Sequence, residues 1–354
     1  LGELAEIVRG SSPRPISDPR WFDINSDIGW LRISDVTEQN GKITKLEQKI
    51  SKDGQKKTRV LHSKHLLLSI AATVGKPVIN YVKTGVHDGF LIFLRPLFDI
   101  EFMYQWLDAY RPKWKKYGQP GSQVNLNSEL VKSQKIYMPH SVEQKKISDF
   151  FSKLDRQIEL EEQKLAKLEE QKKGYMQKIF AQELRFKDEN GNDYPDWEET
   201  TLKNITNYIS SKKSSNQYTE NNNSEGYPVY DAIQEIGKDL QDDMEEPYIS
   251  ILKDGAGAGR LNLRAGKSSV IGTMGYIQAN NVDIQFLYYR MKLLNFRKFI
   301  IGSTIPHLYY KDYSKEKILI PTSNDEQKKI GHFILNIDNL IDNKTLKLDY
   351  LKQR

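Results

Sequence analysis

A heptad seam constrains this chain more than any other feature. From Glu143 to Phe180, the residues Ile147, Phe151, Leu154, Ile158, Glu161, Leu165, Leu168, Lys172, Tyr175 and Ile179 recur at alternating steps of four and three. That spacing is the a/d pattern of a coiled coil. No proline interrupts the run, and its other faces are rich in Glu, Lys and Gln. At 1.5 Å per residue such a helix would extend roughly 57 Å. Its apolar stripe needs a partner helix.

The partner is an internal copy. Ile136-Tyr-Met-Pro139, a short loop and Glu143-Gln-Lys-Lys-Ile147 return as Ile318-Leu-Ile-Pro321, a loop and Glu326-Gln-Lys-Lys-Ile330. The seam then recurs at Ile334, Ile337, Ile341, Lys344, Leu348 and Leu351, each 183 residues after its counterpart. A repeat of this kind fixes the architecture. It predicts a domain over 1–139, a central long helix over 140–184, a linker and second domain over 185–321, and a distal helix over 322–354. The chain opens on Leu and stops in mid-heptad, so both ends are expected to be trimmed, with the distal helix about half as long as the first.

Gly- and Pro-punctuated apolar runs in the first domain read as strands: Gly29–Ser34, His65–Ile70, Pro77–Tyr81, Gly89–Leu94 and a last one reaching Pro139. Ile100–Tyr110 has helical spacing. The second domain follows the same plan: Leu202–Ile209 echoes the start of the chain, Gly226–Tyr230 stands where Gly29–Ile33 did, and Ile284–Ile300 reads as helix. The polar stretch Gly302–Tyr309 stands in for Gly121–Asn127. Trp21, Trp30, Tyr227 and Phe286 are read as core. Framework positions match while loops differ, which points to two related but different ligands. The expected fold class is α+β, with two mixed α/β domains.

Absence of cysteine excludes disulfides and thiolate metal sites and fits a reducing cytoplasm. No apolar run is long enough to span a membrane. A net charge of +6 leans toward an anionic partner. Gly255-Ala-Gly-Ala-Gly259 resembles a nucleotide-binding loop without the strand, helix and acidic residue that such a site needs, and Gly266-Lys-Ser268 lacks the upstream glycine of a phosphate loop. His62 and His65 have no third ligand, and His87-Asp88 has no nucleophile beside it. The Glu-Gln-Lys tripeptides on the long helices are read as surface charge. No catalytic centre and no metal site emerge. What remains is a set of amide-, hydroxyl- and cation-bearing loops suited to base edges and phosphates. In the first domain these carry Arg9, Ser11, Arg14, Arg32, Lys76, Lys115, Lys116, Ser122, Gln123 and Asn125. In the second they carry Lys212, Lys213, Tyr230, Lys253, Arg260, Ser303, Thr304, His307 and Tyr309.

Two divergent domains, each followed by a Pro-loop-Glu-Gln-Lys-Lys-Ile helix with a heptad seam, resemble the specificity (S) subunit of type I restriction-modification systems. The resemblance spans essentially the whole chain and rests on the duplicated order. It implies two target recognition domains, each reading one half of an asymmetric bipartite DNA site. It also implies an antiparallel coiled coil with pseudo-two-fold symmetry that spaces them and docks two modification subunits. Those partners would bring S-adenosylmethionine and adenine methylation, and restriction subunits would add ATP- and Mg-dependent translocation and cleavage. The chain itself would hold no cofactor and be non-catalytic. A helix of roughly 57 Å covers about 17 base pairs of duplex, so helix length should act as the ruler. Glu161 and Lys344, charged at equivalent seam positions, are expected to pair where the two-fold axis passes and to fix register. Other readings of the same features are a stand-alone two-module DNA-binding protein, a coiled-coil scaffold without methyltransferase partners, and an enzyme built on Gly255–Gly259.

Overall fold

The structure, a computed structural model, describes residues 1–117, 126–219 and 225–353. Cα proximity divides the chain into two compact units, 1–159 and 160–354.

The first unit runs β1 (Glu6–Arg9), β2 (Gly29–Trp30), α1 (Ile33–Glu38), β3 (Lys42–Ile43), α2 (Lys52–Gln55), β4 (Arg59–Leu61), β5 (His65–Ser69), β6 (Pro77–Asn80), β7 (Thr84–Val86), β8 (Phe90–Leu94), α3 (Ile100–Tyr110) and α4 (Ser128–Lys132). It then enters the long α5 (Ser141–Phe180). Five strands pair in the order β1-β8-β5-β6-β3, and β2-β7-β4 form a smaller sheet. Leu66, Leu68, Phe93, Met103 and Leu107 centre one core; Leu67, Val78, Phe90 and Ile92 centre another across the alternating face of the same strands. The expected strand at Gly29–Ser34 ends at Trp30. There the Asp35 carboxylate accepts the Arg32 backbone N–H at 2.8 Å and starts α1.

The second unit continues with β9 (Glu198–Thr201), α6 (Leu202–Ile205), β10 (Thr206–Ser210), α7 (Asn216–Thr219), β11 (Tyr227–Tyr230), β12 (Glu235–Asp239), β13 (Tyr248–Leu252), β14 (Leu261–Arg264), β15 (Ser269–Val270), β16 (Met274–Ala279) and α8 (Ile284–Lys292). After these come β17 (Ile300–Ile301), β18 (His307–Leu308), α9 (Tyr310–Tyr313), β19 (Lys317–Ile320) and α10 (Asn324–Lys352). Its main sheet, β10-β16-β13-β14, repeats the order β1-β8-β5-β6. The duplication is therefore structural as well as sequential. The helix expected over Ile284–Ile300 stops at Lys292 with Leu293 as its C-cap, and Asn295 (φ −86°, ψ 83°) then leads into a 3-10 turn and β17. Trp21, Trp30 and Phe286 are buried as expected. Tyr227 is instead 37% exposed at the first position of β11, and the buried residue of that strand is Val229.

The Glu-Gln-Lys-Lys segments are more than surface charge. Gln144 and Gln327 are buried, and each bolts its helix to its own domain. The Gln144 Oε1 accepts the Asp99 N–H at 2.9 Å while its Nε2 donates to the Pro139 carbonyl at 2.9 Å. Gln327 does the same with Asp283 and Pro321, both at 2.8 Å. Asp99 and Asp283 are the N-caps of α3 and α8, so one glutamine fixes a cap, a loop and a long helix together. Glu326 is fully buried and paired with Arg185 at 2.9 Å. This tertiary satisfaction, invisible to local pattern, overrides the polar reading of the tripeptide.

Within the second unit α5 and α10 pack antiparallel: Glu162 meets Lys352, Glu161 meets Lys344, Lys172 meets Asp338 and the Tyr175 ring meets Phe333. Among the seam positions Ile158, Glu161, Ile179, Ile330, Ile334 and Leu348 are buried. Ile147, Phe151, Leu154, Leu165, Leu168, Ile337, Ile341, Lys344 and Leu351 are half-buried. Lys344 Nζ lies 2.6 Å from Glu161 Oε2, and Lys347 adds a second bond at 3.1 Å. Equivalent charged residues thus meet, as register fixing requires. Hydrogen bonds from Lys344 and Lys347 hold the Glu161 carboxyl down at about 2. α10 has 29 residues against 40 in α5, which is more than the expected half.

Candidate nucleic-acid interface

In the second unit the β13–β14 connection, Lys253–Arg260, is held open by backbone that only glycine adopts readily: Gly255, Gly257 and Gly259 have φ of 94°, 90° and 92°. The connection is tied to the β17–β18 hairpin. The Gly255 N–H donates to the Pro306 carbonyl at 2.9 Å and the Leu308 N–H to the Lys253 carbonyl at 2.8 Å. His307 Nδ1 lies 2.7 Å from Asp254 Oδ1, and Lys253 Nζ lies 2.8 Å from Asp254 Oδ2. Burial opposes ionisation of Asp254, yet the bonds from Lys253 and His307 outweigh it and hold the carboxyl below its ordinary range.

Six expected residues therefore gather on two linked loops. Arg260, Ser303, Thr304 and Tyr309 are exposed, and Lys253 and His307 are half-buried. Arg260 has no ion-pair partner among the described residues. Lys253 does, since it is engaged by Asp254 and by the Gly272 carbonyl. Gly255–Gly259 serves as this connection; it joins two strands of the main sheet rather than a strand and a helix.

Beside it, Lys212 is exposed at the rim of a cavity of about 470 Å³ that is also lined by Lys213, Gln217, Asp243 and Tyr276. Lys213 is half-buried, 2.6 Å from Asp239 and 3.4 Å from Asp243. Burial works against its charge, and the Asp239 bond more than compensates, raising its pKa. Tyr230 lies under the Arg264 guanidinium, 4.0 Å from ring centre to carbon.

In the first unit β1 leads into a loop organised on Asp88. Its Oδ1 accepts the Ser12 hydroxyl at 2.9 Å, its Oδ2 meets Arg14 Nη2 at 2.7 Å, and its carbonyl accepts Arg9 Nε at 2.6 Å. Burial raises the Asp88 pKa, but the Ser12 bond and the Arg14 and Arg9 charges lower it further. A cavity of about 320 Å³ opens here, lined by Ser12, Arg14, Trp30, Arg32, His87 and Asp88 among others. Burial pushes the His87 pKa down, toward the neutral imidazole. Arg9 and Arg14 are exposed and Ser11 is half-buried, with its carbonyl accepting the Thr58 hydroxyl.

Two expected cations are committed elsewhere. Arg32 grips Asp35 through Nε and Nη2, at 3.1 and 2.7 Å. Lys76 is 12% exposed and 3.1 Å from Asp108. Lys116 is exposed beside the Tyr117 ring. The side chain of Lys115, and all of Ser122, Gln123 and Asn125, lie outside the described residues. Among the described residues no group of three or more His, Asp or Glu could hold a metal, and no helix is long and apolar enough to cross a membrane.

A duplicated α/β frame with cation-bearing loops, each unit carrying its own long helix start, defines a two-module recognition protein. The chain belongs to the type I restriction modification DNA specificity domain family, whose model matches residues 1–170 and 194–353. It is 28% identical over 190 residues to the type I restriction enzyme MjaVIII specificity subunit of Methanocaldococcus jannaschii. That match takes in 49% of this chain and 44% of the relative, so it spans less than half of the relative's length. In fold it is similar to the S subunit of a type I restriction-modification system from M. genitalium, with a TM-score of 0.66 and 16% identity, over 99% of this chain and 91% of the other. A chain from a study of complex assembly and conformational transition of the type I R-M system gives 0.55 and 14%, over 99% and 93%.

Proposed function

We propose that this chain is the sequence-specific DNA-recognition subunit of a type I restriction-modification complex. Each unit reads one half of an asymmetric bipartite site. α5 and α10 set the spacing and dock two modification subunits, and the assembly works in the cytoplasm. The chain is non-catalytic by itself. S-adenosylmethionine and adenine methylation belong to the modification subunits, and ATP and Mg to restriction subunits.

The supporting observation is the conserved strand order combined with divergent loops. The frame β1-β8-β5-β6 recurs as β10-β16-β13-β14, yet the first unit offers Arg9 and Arg14 around Asp88 where the second offers Arg260, Ser303, Thr304 and His307 around Asp254. Cations without ion-pair partners neutralise phosphates at little desolvation cost and make binding salt-dependent. Hydroxyl, imidazole and phenol groups on an anchored loop can read base edges in a groove. Arg14, Arg32, Lys76, Lys213 and Lys253 are each paired with a carboxylate that they would have to give up, so their role is to stiffen the loops.

The test is to co-express the chain with a type I modification subunit and map methylated adenines by sequencing. A single bipartite motif with a fixed unread gap, present only when this chain is present, supports the reading. Methylation independent of the chain leaves a stand-alone DNA binder or a scaffold.

A further inference from the structure

The start of α10 is covered by one continuous segment, Arg185–Thr201, which turns back between Lys187 and Asp193 and ends in a strand. Its last four residues, β9, pair antiparallel with β19, from Lys317 opposite Thr201 to Ile320 opposite Glu198. Ile318 and Ile320 are 2% and 3% exposed. Lys317 Nζ reaches Glu199 at 2.6 Å. Further back, Arg185 pairs with the buried Glu326, the Phe186 ring lies against Phe333, and Lys329 donates to the Lys187 carbonyl at 2.7 Å beside the Tyr194 ring.

The first unit repeats the receiving surface without the cover. The counterparts of Lys317, Glu326, Lys329 and Phe333 are Lys135, Glu143, Lys146 and Phe150. Lys135, Glu143 and Lys146 are exposed and have no ion-pair partner among the described residues. Phe150 is 63% exposed and Tyr137 fully so. Residues 135–138 form no strand, and Ile136 and Met138 are only half-buried. The neighbouring frame is already in place. The Leu1 nitrogen donates to the Gln134 carbonyl at 2.7 Å and the Gly2 N–H to Lys132 at 3.0 Å, as Leu202 and Lys203 do to Glu316 and Ser314.

We propose that Lys135–Met138 and the first turns of α5 form a strand-acceptor site for a polypeptide segment with the chemistry of Arg185–Thr201. An unpaired edge with alternating half-buried apolar side chains is a template for strand addition. The charges specify the rest: an acidic side chain opposite Lys135, and an arginine followed by an aromatic residue to meet Glu143 and Phe150. The inference does not depend on the DNA reading.

The experiment is to fuse a copy of residues 185–201 directly ahead of Leu1 in the full chain and follow amide hydrogen exchange. Amides 135–138 should exchange at least about tenfold more slowly than in the parent. Prolines at the copied Glu199 and Thr200 should abolish that protection, because proline cannot donate to a ladder. Glu143→Arg in the fused chain should weaken it. Unchanged exchange at 135–138 in the fused chain overturns the proposal. Concentration-dependent protection of the same amides in the parent would also overturn it, by assigning the edge to a second copy of the chain.

Discussion

Replacing Gln327 by Leu tests how the long helix is fixed to its domain. Gln327 is 3% exposed and makes two bonds of 2.8 Å, accepting from the Asp283 N–H and donating to the carbonyl of the buried Pro321. Leucine is of similar size and removes both, leaving two backbone groups unpaired at about 1–3 kcal/mol each. Its extra apolar surface returns about 1 kcal/mol, so the net loss is about 1–5 kcal/mol. One tenfold change corresponds to about 1.4 kcal/mol. Amides of α8 that exchange through opening of the second unit should therefore exchange about 5 to 4,000 times faster in Gln327→Leu. Gln144→Leu removes the matching bonds at Asp99 and Pro139. Because Pro139 is only half-buried, water recovers part of the loss, and about 1–2 kcal/mol is expected, read at α3. Hydrogen exchange followed by mass spectrometry reports α3 and α8 separately in each variant. A change below about twofold at α8 in Gln327→Leu would refute the clamp.

Glu161→Gln should lower stability at neutral pH, and the difference from the parent should disappear on the acid side. The folded carboxyl titrates at about 2 against an ordinary 4.5, so its contribution is present above about 4.5 and is lost as pH falls toward 2. Thermal unfolding of the second unit should be less pH-dependent across that window in the variant than in the parent. Arg260→Ala should weaken DNA binding by the assembled methyltransferase about equally for cognate and scrambled second half-sites. It should also reduce the slope of log K against log salt by about 1; a selective loss on the cognate sequence would make Arg260 a base reader instead. Inserting one turn into both α5 and α10 adds about 5.4 Å, or one to two base pairs. The methylated motif should then keep both halves and widen its gap, and altered halves with an unchanged gap would refute the ruler.

The parts legible in the sequence were those governed by local periodicity. Steps of four and three locate α5 and α10, and the same count places Glu161 opposite Lys344. Lys347, one turn beyond on α10, was missed because nothing in the heptad singles it out. The commitments of Arg32, Lys76 and Lys213 were also hidden: their carboxylates, Asp35, Asp108, and Asp239 with Asp243, look like any other acidic residue in the sequence. Gln144, Glu326 and Gln327 were misread for a related cause. Their polarity suggests solvent, and only tertiary contact with Asp99, Arg185 and Asp283 shows why burial is tolerated. The glycines at 255–259 were visible, but their purpose became clear only when Asp254 and His307, distant in sequence, were found 2.7 Å apart.

The central claim is that each unit reads its own half of the DNA site. Its most direct test is to exchange residues 196–321 for the corresponding segment of another member of the family and map methylated adenines with the same modification subunit. The account predicts one new half-site, with the other half and the gap unchanged. Two altered halves, or an unaltered motif, would contradict it.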